Sequence, residues 1–262
     1  MATTQRTLTY ASPDGVDLLA DVYLPETAKP APVVVCMHGG AWKAGSRASY
    51  RFLGPYLAAA GYVAMSIDYR LVAGAKNRYP AAVDDVRAAI AYVREHAAEL
   101  NADVARIALM GDSAGGHLAS LVGLQDSATI KAFVGVFGVY DLAAQWQYDL
   151  ASRPNDNIAH VFLGKSLVED RRLYFDASPI SYATTANNRV AALLAWGTCD
   201  DIVPAEQSEN FLRALKQAGF YARPCVQAAP HFWVSDPLDE PGSYSGFFAV
   251  RLLRFLNEKL AS

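Results

Sequence analysis

Residues 7–25, TLTYASPDGVDLLADVYLP, alternate apolar and polar positions around the turn signal Pro13-Asp14-Gly15, which predicts an antiparallel hairpin. Beyond it the period of two disappears. PVVVCMH from Pro32, YVAMSIDY from Tyr62, RIALMG from Arg106, AFVGVFG from Ala132 and AALLAWG from Ala191 are short, continuously apolar runs. A strand covered on both faces needs no polar side, so these runs predict the strands of a parallel sheet. Between them the period changes to that of a helix. Residues 80–98 place Val83, Val86, Ile90 and Val93 on one face, with Pro80 at the start and Asp84, Arg87 and Arg94 elsewhere. Similar faces occur at 114–125, 205–218 and 245–260.

Strands alternating with helices predict an α/β fold with a doubly wound, mostly parallel sheet and an N-terminal antiparallel hairpin. Neither an internal repeat nor a linker interrupts it, so residues 1–262 are expected to form a single domain. The stretch from Val139 to Val190 is too long for an ordinary connection and carries Trp146, Tyr148, Phe162, Tyr174 and Phe175. It is expected to be a small insertion, at about 140–190, covering a binding site.

Composition narrows the function classes. With 52% hydrophobic and 19% charged residues the chain reads as globular, and a net charge of −3 with scattered Lys and Arg offers no basic face for nucleic acid or an anionic membrane. No run approaches a membrane span, and the polar start MATTQRTLTY lacks the apolar stretch of a secretory signal, so a cytoplasmic location is expected. Cys36, Cys199 and Cys225 form no CxxC pair and are expected to be small buried hydrophobes.

GDSAGG, residues 111–116, follows the RIALM strand directly and opens a helical segment. That strand, turn and helix context is what a G-x-S-x-G nucleophile elbow requires, and it raises Ser113 at a helix N-terminus. The bland alternatives are a glycine-rich turn without chemistry or a phosphate-binding loop. HGGAW, residues 38–42, follows what would be the third strand, where a second set of backbone donors is expected; Gly40, Ala41 and Ala114 are the predicted oxyanion-hole amides. His38 precedes the serine, against the chain order nucleophile, acid, histidine, and is expected to hydrogen-bond within its loop.

Five histidines allow elimination. His38 and His96 precede Ser113, His117 lies one turn beyond it on the same helix, and His160 falls in the insertion. His231, in the Pro- and Gly-rich loop AAPHFWVSDPLDEPGS before the last helix, is the expected general base. The acid should leave the AALLAWGTCDDIVP strand end, where Asp200 and Asp201 stand side by side and local physics does not separate them.

HGGAW, SIDYRL (66–71), YPAAVDDVRAAIAYV (79–93), GDSAGGHLAS, SPISY (178–182), WGTCDDIVP and the final APHFW together resemble the α/β-hydrolase superfamily. More narrowly the chain is similar to the compact carboxylesterases, including bifunctional acetyl and feruloyl esterases and relatives of hormone-sensitive lipase and kynurenine formamidase. The resemblance spans nearly the whole chain and implies that the acid is Asp200, at the fourth position of G-x-x-D-x-x-V-P. Two departures matter. Ala41 stands where the hormone-sensitive lipase branch has a third glycine, and the PVVVCMH strand begins at Pro32, too early for that branch's N-terminal helical cap. Ala41 also replaces the aromatic residue that kynurenine formamidases carry before the tryptophan.

The implied activity is acyl transfer from a small-molecule ester through an acyl-enzyme on Ser113, with no cofactor and no metal. Because the working imidazole is neutral, kcat/KM should rise from acid toward neutral pH. Trp42, Trp146 and Trp233 are candidate walls of an apolar or aryl-accommodating pocket. Short-acyl or aryl esters are the first expectation, and acetyl or feruloyl sugar esters the second. An arylformamidase acting on N-formyl amides, or a non-catalytic ligand-binding protein on the same fold, are the alternatives.

Overall fold

The computed structural model describes residues 4–260. Among them eight strands form one sheet in the order β1-β2-β4-β3-β5-β6-β7-β8. β1 (Thr4–Ala11) and β2 (Leu18–Leu24) are the expected hairpin, antiparallel, turned by Asp14 and Gly15 at φ of 53° and 76°. β2 runs antiparallel to β4 (Val63–Ile67); from there β3 (Ala31–Met37), β5 (Ala102–Asp112), β6 (Ala132–Val136), β7 (Ala191–Gly197) and β8 (Ala222–Gln227) are all parallel.

The continuous apolar runs are explained by the two cores they feed. Val33, Val35 and Met37 of β3 point to one face of the sheet, whereas Val34 and Cys36 point to the other, and both faces are covered. α1 (Leu53–Ala59) and the C-terminal α9 (Tyr244–Leu260) cover one side, α1 contributing Leu53 and Leu57 and α9 contributing Phe248, Leu252 and Leu256 to the same core. The other side receives α2 (Ala81–Glu95), the short α3 (Ala97–Leu100), α4 (Ala114–Gln125) and α8 (Ala205–Gln217). Val83, Val86, Ile90 and Val93 are all buried, as the helical spacing requires. No described helix is long and apolar enough to cross a membrane.

The stretch between β6 and β7 folds as α5 (Leu142–Ser152), α6 (Ile158–Leu163) and α7 (Arg171–Ala177), with 3₁₀ turns at Pro179–Tyr182 and Thr185–Asn187. Asp141, Asn157 and Asp170 cap the three helices by accepting backbone N–H bonds. Its aromatic residues divide. Phe162 and Tyr174 are buried in the core shared with α2 and α4, and Phe175 is exposed. α4 is therefore apolar all round, because sheet and insertion enclose it from opposite sides. Cys36 and Cys225 are buried as expected, but Cys199 is exposed: it lies past the end of β7, in a turn rather than in the strand.

Candidate active site

The three chemistry-bearing loops leave the carboxyl ends of β5, β7 and β8, at one edge of the sheet. Ser113 sits between β5 and α4 at φ 51° and ψ −116°, a conformation that costs a non-glycine residue on the order of 1–3 kcal/mol. The serine carries the strain, and its flanking glycines carry something else. A Cβ on Gly111 would stand 2.1 Å from the Gly115 carbonyl oxygen, and one on Gly115 would stand 1.9 Å from that of Met37. The glycines of G-x-S-x-G are required here because backbone packs directly on backbone. The Ser113 amide donates to the Val136 carbonyl at 2.8 Å, tying the elbow to the end of β6.

His231 Nε2 is 3.0 Å from Ser113 Oγ, and His231 Nδ1 is 2.7 Å from Asp200 Oδ2. Asp200 Oδ1 accepts the amides of Ile202 and Val203 at 3.0 and 2.9 Å, so both carboxylate oxygens are engaged and the imidazole must present N–H at Nδ1. Side-chain exposure is 2% for His231 and 1% for Asp200, which keeps water from weakening the pair. Asp201, the carboxylate that local physics could not separate from Asp200, is exposed. Phe137 packs on the imidazole at 4.6 Å between centroids, and Phe232 meets it edge-on at 4.7 Å while remaining 72% exposed.

In the HGGAW loop, Gly40, Ala41 and Trp42 all have positive φ, at 116°, 51° and 57°. The loop is closed by the Lys43 and Ala44 amides, which donate to the Gly40 carbonyl. Among the described residues no protein acceptor takes the amides of Gly40, Ala41 or Ala114, whereas the Gly39 amide is taken by Asp112 Oδ2 at 3.1 Å. His38 behaves as expected: Nδ1 bonds the Gly39 carbonyl, the ring stacks on Tyr69 at 4.3 Å, and burial lowers its pKa.

Sequence reasoning missed Asp112, although it lies within GDSAGG. Its carboxylate bridges the elbow to the HGGAW loop, accepting the Gly39 amide on one oxygen and the Tyr50 hydroxyl at 2.9 Å on the other. Burial pushes this carboxyl up to about 6, against the lowering influence of Tyr50, His231 and the Gly39 amide. The motif's variable position gave no signal, because its partners lie far away in sequence. His117 is fully buried; Nε2 donates to the Ala177 carbonyl at 2.8 Å, and burial pushes its pKa down to about 4, so it stays neutral.

The three tryptophans do not gather at the site. Trp42 is completely buried, stacked on Phe162 at 4.2 Å and edge-on to His117, so it belongs to the core beneath the loop. Trp146 is half-buried on α5 against the same core, where its carbonyl accepts from Asn157. Only Trp233, wedged between Phe137 and Phe248, borders a cavity of about 190 Å³, together with Gly40, Asp112 and Phe232. A tryptophan beside a motif looks the same in sequence whether it faces ligand or core. No group of three or more His, Cys, Asp or Glu side chains among the described residues is arranged to hold a metal ion.

The profile of the BD-FAE family matches residues 20–215. Esterase LipC of Mycobacterium tuberculosis is 34% identical over 88% of this chain, and the probable carboxylic ester hydrolase LipM of the same organism is 30% identical over 88%. The chain spans only 59% and 55% of the length of these two relatives. Among solved structures, butyrate-bound esterase 2 of Thermogutta terrifontis superposes with a TM-score of 0.79 at 26% identity, covering 98% of this chain and 94% of that one. The same esterase phosphonylated by sarin superposes with a TM-score of 0.80 at 26% identity, covering 98% and 96%. Motifs, sheet topology and relatives therefore converge: the fold is that of the α/β-hydrolases, and the chain belongs to the BD-FAE family.

Proposed function

We propose that the chain is a single-domain serine carboxylesterase in which Ser113 is the nucleophile, His231 the general base and Asp200 the acid that orients it. The observation carrying this reading is the unbroken relay, 3.0 Å from hydroxyl to imidazole and 2.7 Å from imidazole to carboxylate. His231 Nε2 accepts the Ser113 proton as Oγ attacks the ester carbonyl, and the imidazolium that forms is stabilised by Asp200. The amides of Gly40, Ala41 and Ala114 receive the developing oxyanion, each such donor being worth about 10²–10³ in rate. The imidazolium then protonates the leaving alcohol, and a water activated by the same base releases the acyl group.

Short-acyl or aryl esters are the substrate class. The butyrate- and propionate-bound forms of the Thermogutta esterase support this. The relatives named above are esterases and ester hydrolases, which favours ester over formamide cleavage. Two measurements test the reading. A fluorophosphonate probe should add to the intact protein and fail to add to Ser113→Ala; an unlabelled native protein would refute the nucleophile. On p-nitrophenyl esters from acetate to palmitate, kcat/KM should peak at the short end, and a palmitate optimum would refute the substrate class.

A further inference from the structure

The turn carrying Asp200 is gripped from outside by the insertion. Tyr148 Oη of α5 donates to the Asp201 carbonyl at 2.8 Å. Arg153, immediately after α5, donates to the Ile202 carbonyl at 2.7 Å, and Gln145 Nε2 donates to the same oxygen at 3.1 Å. Arg153 and Gln145 are themselves fixed by Asp149, which is fully buried: its Oδ1 accepts from both, and its Oδ2 accepts the Ile158 amide that opens α6.

These contacts meet the relay through two consecutive peptide groups. The Asp201–Ile202 peptide takes the Tyr148 proton on its carbonyl and gives its N–H to Asp200 Oδ1. The Ile202–Val203 peptide takes the Arg153 and Gln145 protons on its carbonyl and gives its N–H to the same Asp200 oxygen. A donor on a peptide oxygen polarises that peptide and strengthens the bond its N–H makes, and it also fixes the plane of the group. Among the described residues no Lys or Arg side chain bonds Asp200 directly, yet a guanidinium acts on it at one remove.

We infer that Arg153 and Tyr148 are positioning residues for Asp200, holding through the Asp201–Ile202 and Ile202–Val203 peptide groups the carboxylate that orients His231. This rests on the relay proposed above. The insertion thus acts on the relay from behind the Asp200 turn, and its loosening should change the imidazole before it changes substrate binding.

The test is a steady-state and pH-rate comparison of Arg153→Met, Arg153→Lys, Tyr148→Phe and the surface control Leu150→Ser, a residue of α5 that is 46% exposed. Arg153→Met should lower kcat about tenfold with KM within about twofold, since a small misplacement of a relay member costs rate rather than binding. The acid limb of kcat/KM should move to lower pH, because a less well held carboxylate stabilises the imidazolium less. Arg153→Lys, which keeps one donor, should recover part of the loss, and Leu150→Ser should match the unaltered enzyme. Should Arg153→Met not fold with Asp149 left unpaired, Tyr148→Phe decides, with an expected fall in kcat of about two- to fivefold and the same direction of pH shift. Unchanged kcat and pH profile in the folded variants, or losses matching only a reduced folded fraction, would overturn the inference. Fluorophosphonate labelling separates the two readings: failure to label the unaltered enzyme sinks the relay itself, whereas labelling at equal rates in enzyme and variants sinks only the role of Arg153 and Tyr148.

Discussion

The turn carrying Ser113 and the turn carrying Asp200 sit at the same sheet edge and belong to one hydrogen-bonded chain, yet they are built by opposite means. At the elbow, backbone packs against backbone: Gly111 against Gly115, and Gly115 against the end of β3, with the strain concentrated on Ser113. At the acid turn, hydrogen bonds hold the geometry: peptide N–H groups on the inside, side chains of the insertion on the outside. A close-packed backbone admits no gradation, whereas a hydrogen-bonded turn can be weakened one donor at a time. The first arrangement leaves a rigid motif in the sequence, and the second leaves only one aspartate beside another.

Three experiments sharpen the contrast, in descending order of effect. Asp200→Asn keeps the size of the side chain but favours the wrong imidazole tautomer, and should cost about 10⁴ in kcat with the fold intact, as such a change does in serine proteases. A loss below tenfold in a pre-steady-state assay would place the acid elsewhere. Gly115→Ala should destabilise by more than about 3 kcal/mol, because its methyl would stand 1.9 Å from the Met37 oxygen and neither backbone has room to yield. A urea midpoint equal to that of the unaltered protein would show the elbow to be more compliant than its packing implies.

The third concerns pH. Unfolded, Asp112 releases its proton near 3.8 and His117 near 6.5; folded, the values move to about 6 and about 4. Between about 4 and 6 the native state holds the extra proton on Asp112, so that group's contribution rises as pH falls. For His117 the unfolded state holds the extra proton, so its contribution falls as pH drops from about 6.5 to 4. Each effect reaches at most about 3 kcal/mol, and they offset one another. Asp112→Asn removes the first, so its Tm should fall more steeply than that of the unaltered protein between pH 6.5 and 4. Parallel Tm curves would show that Asp112 does not change charge in this range.

Most of the sheet could be read from the chain because burial on both faces leaves an uninterrupted apolar run, as in β3, β6 and β7. Ser113 was legible from GDSAGG in its strand-to-helix context, and His231 from the scarcity of histidines after it. Asp200 emerged from the family pattern alone, since its distinction from Asp201 lies in which carboxylate faces inward. Trp42 and Trp146 misled because an aromatic side chain next to a motif serves core and pocket equally well. Asp112, Phe137 and the grip of Arg153 on Ile202 were invisible for one reason: each acquires its role from a partner far along the chain.

The bond from the Gly39 amide to Asp112 spans 73 positions, and that separation has a temporal meaning. A ribosome delivers the HGGAW segment well before the carboxylate that receives its amide. Local bonds to the Gly40 carbonyl can form at once, but the tie between loop and elbow requires β5 to have emerged.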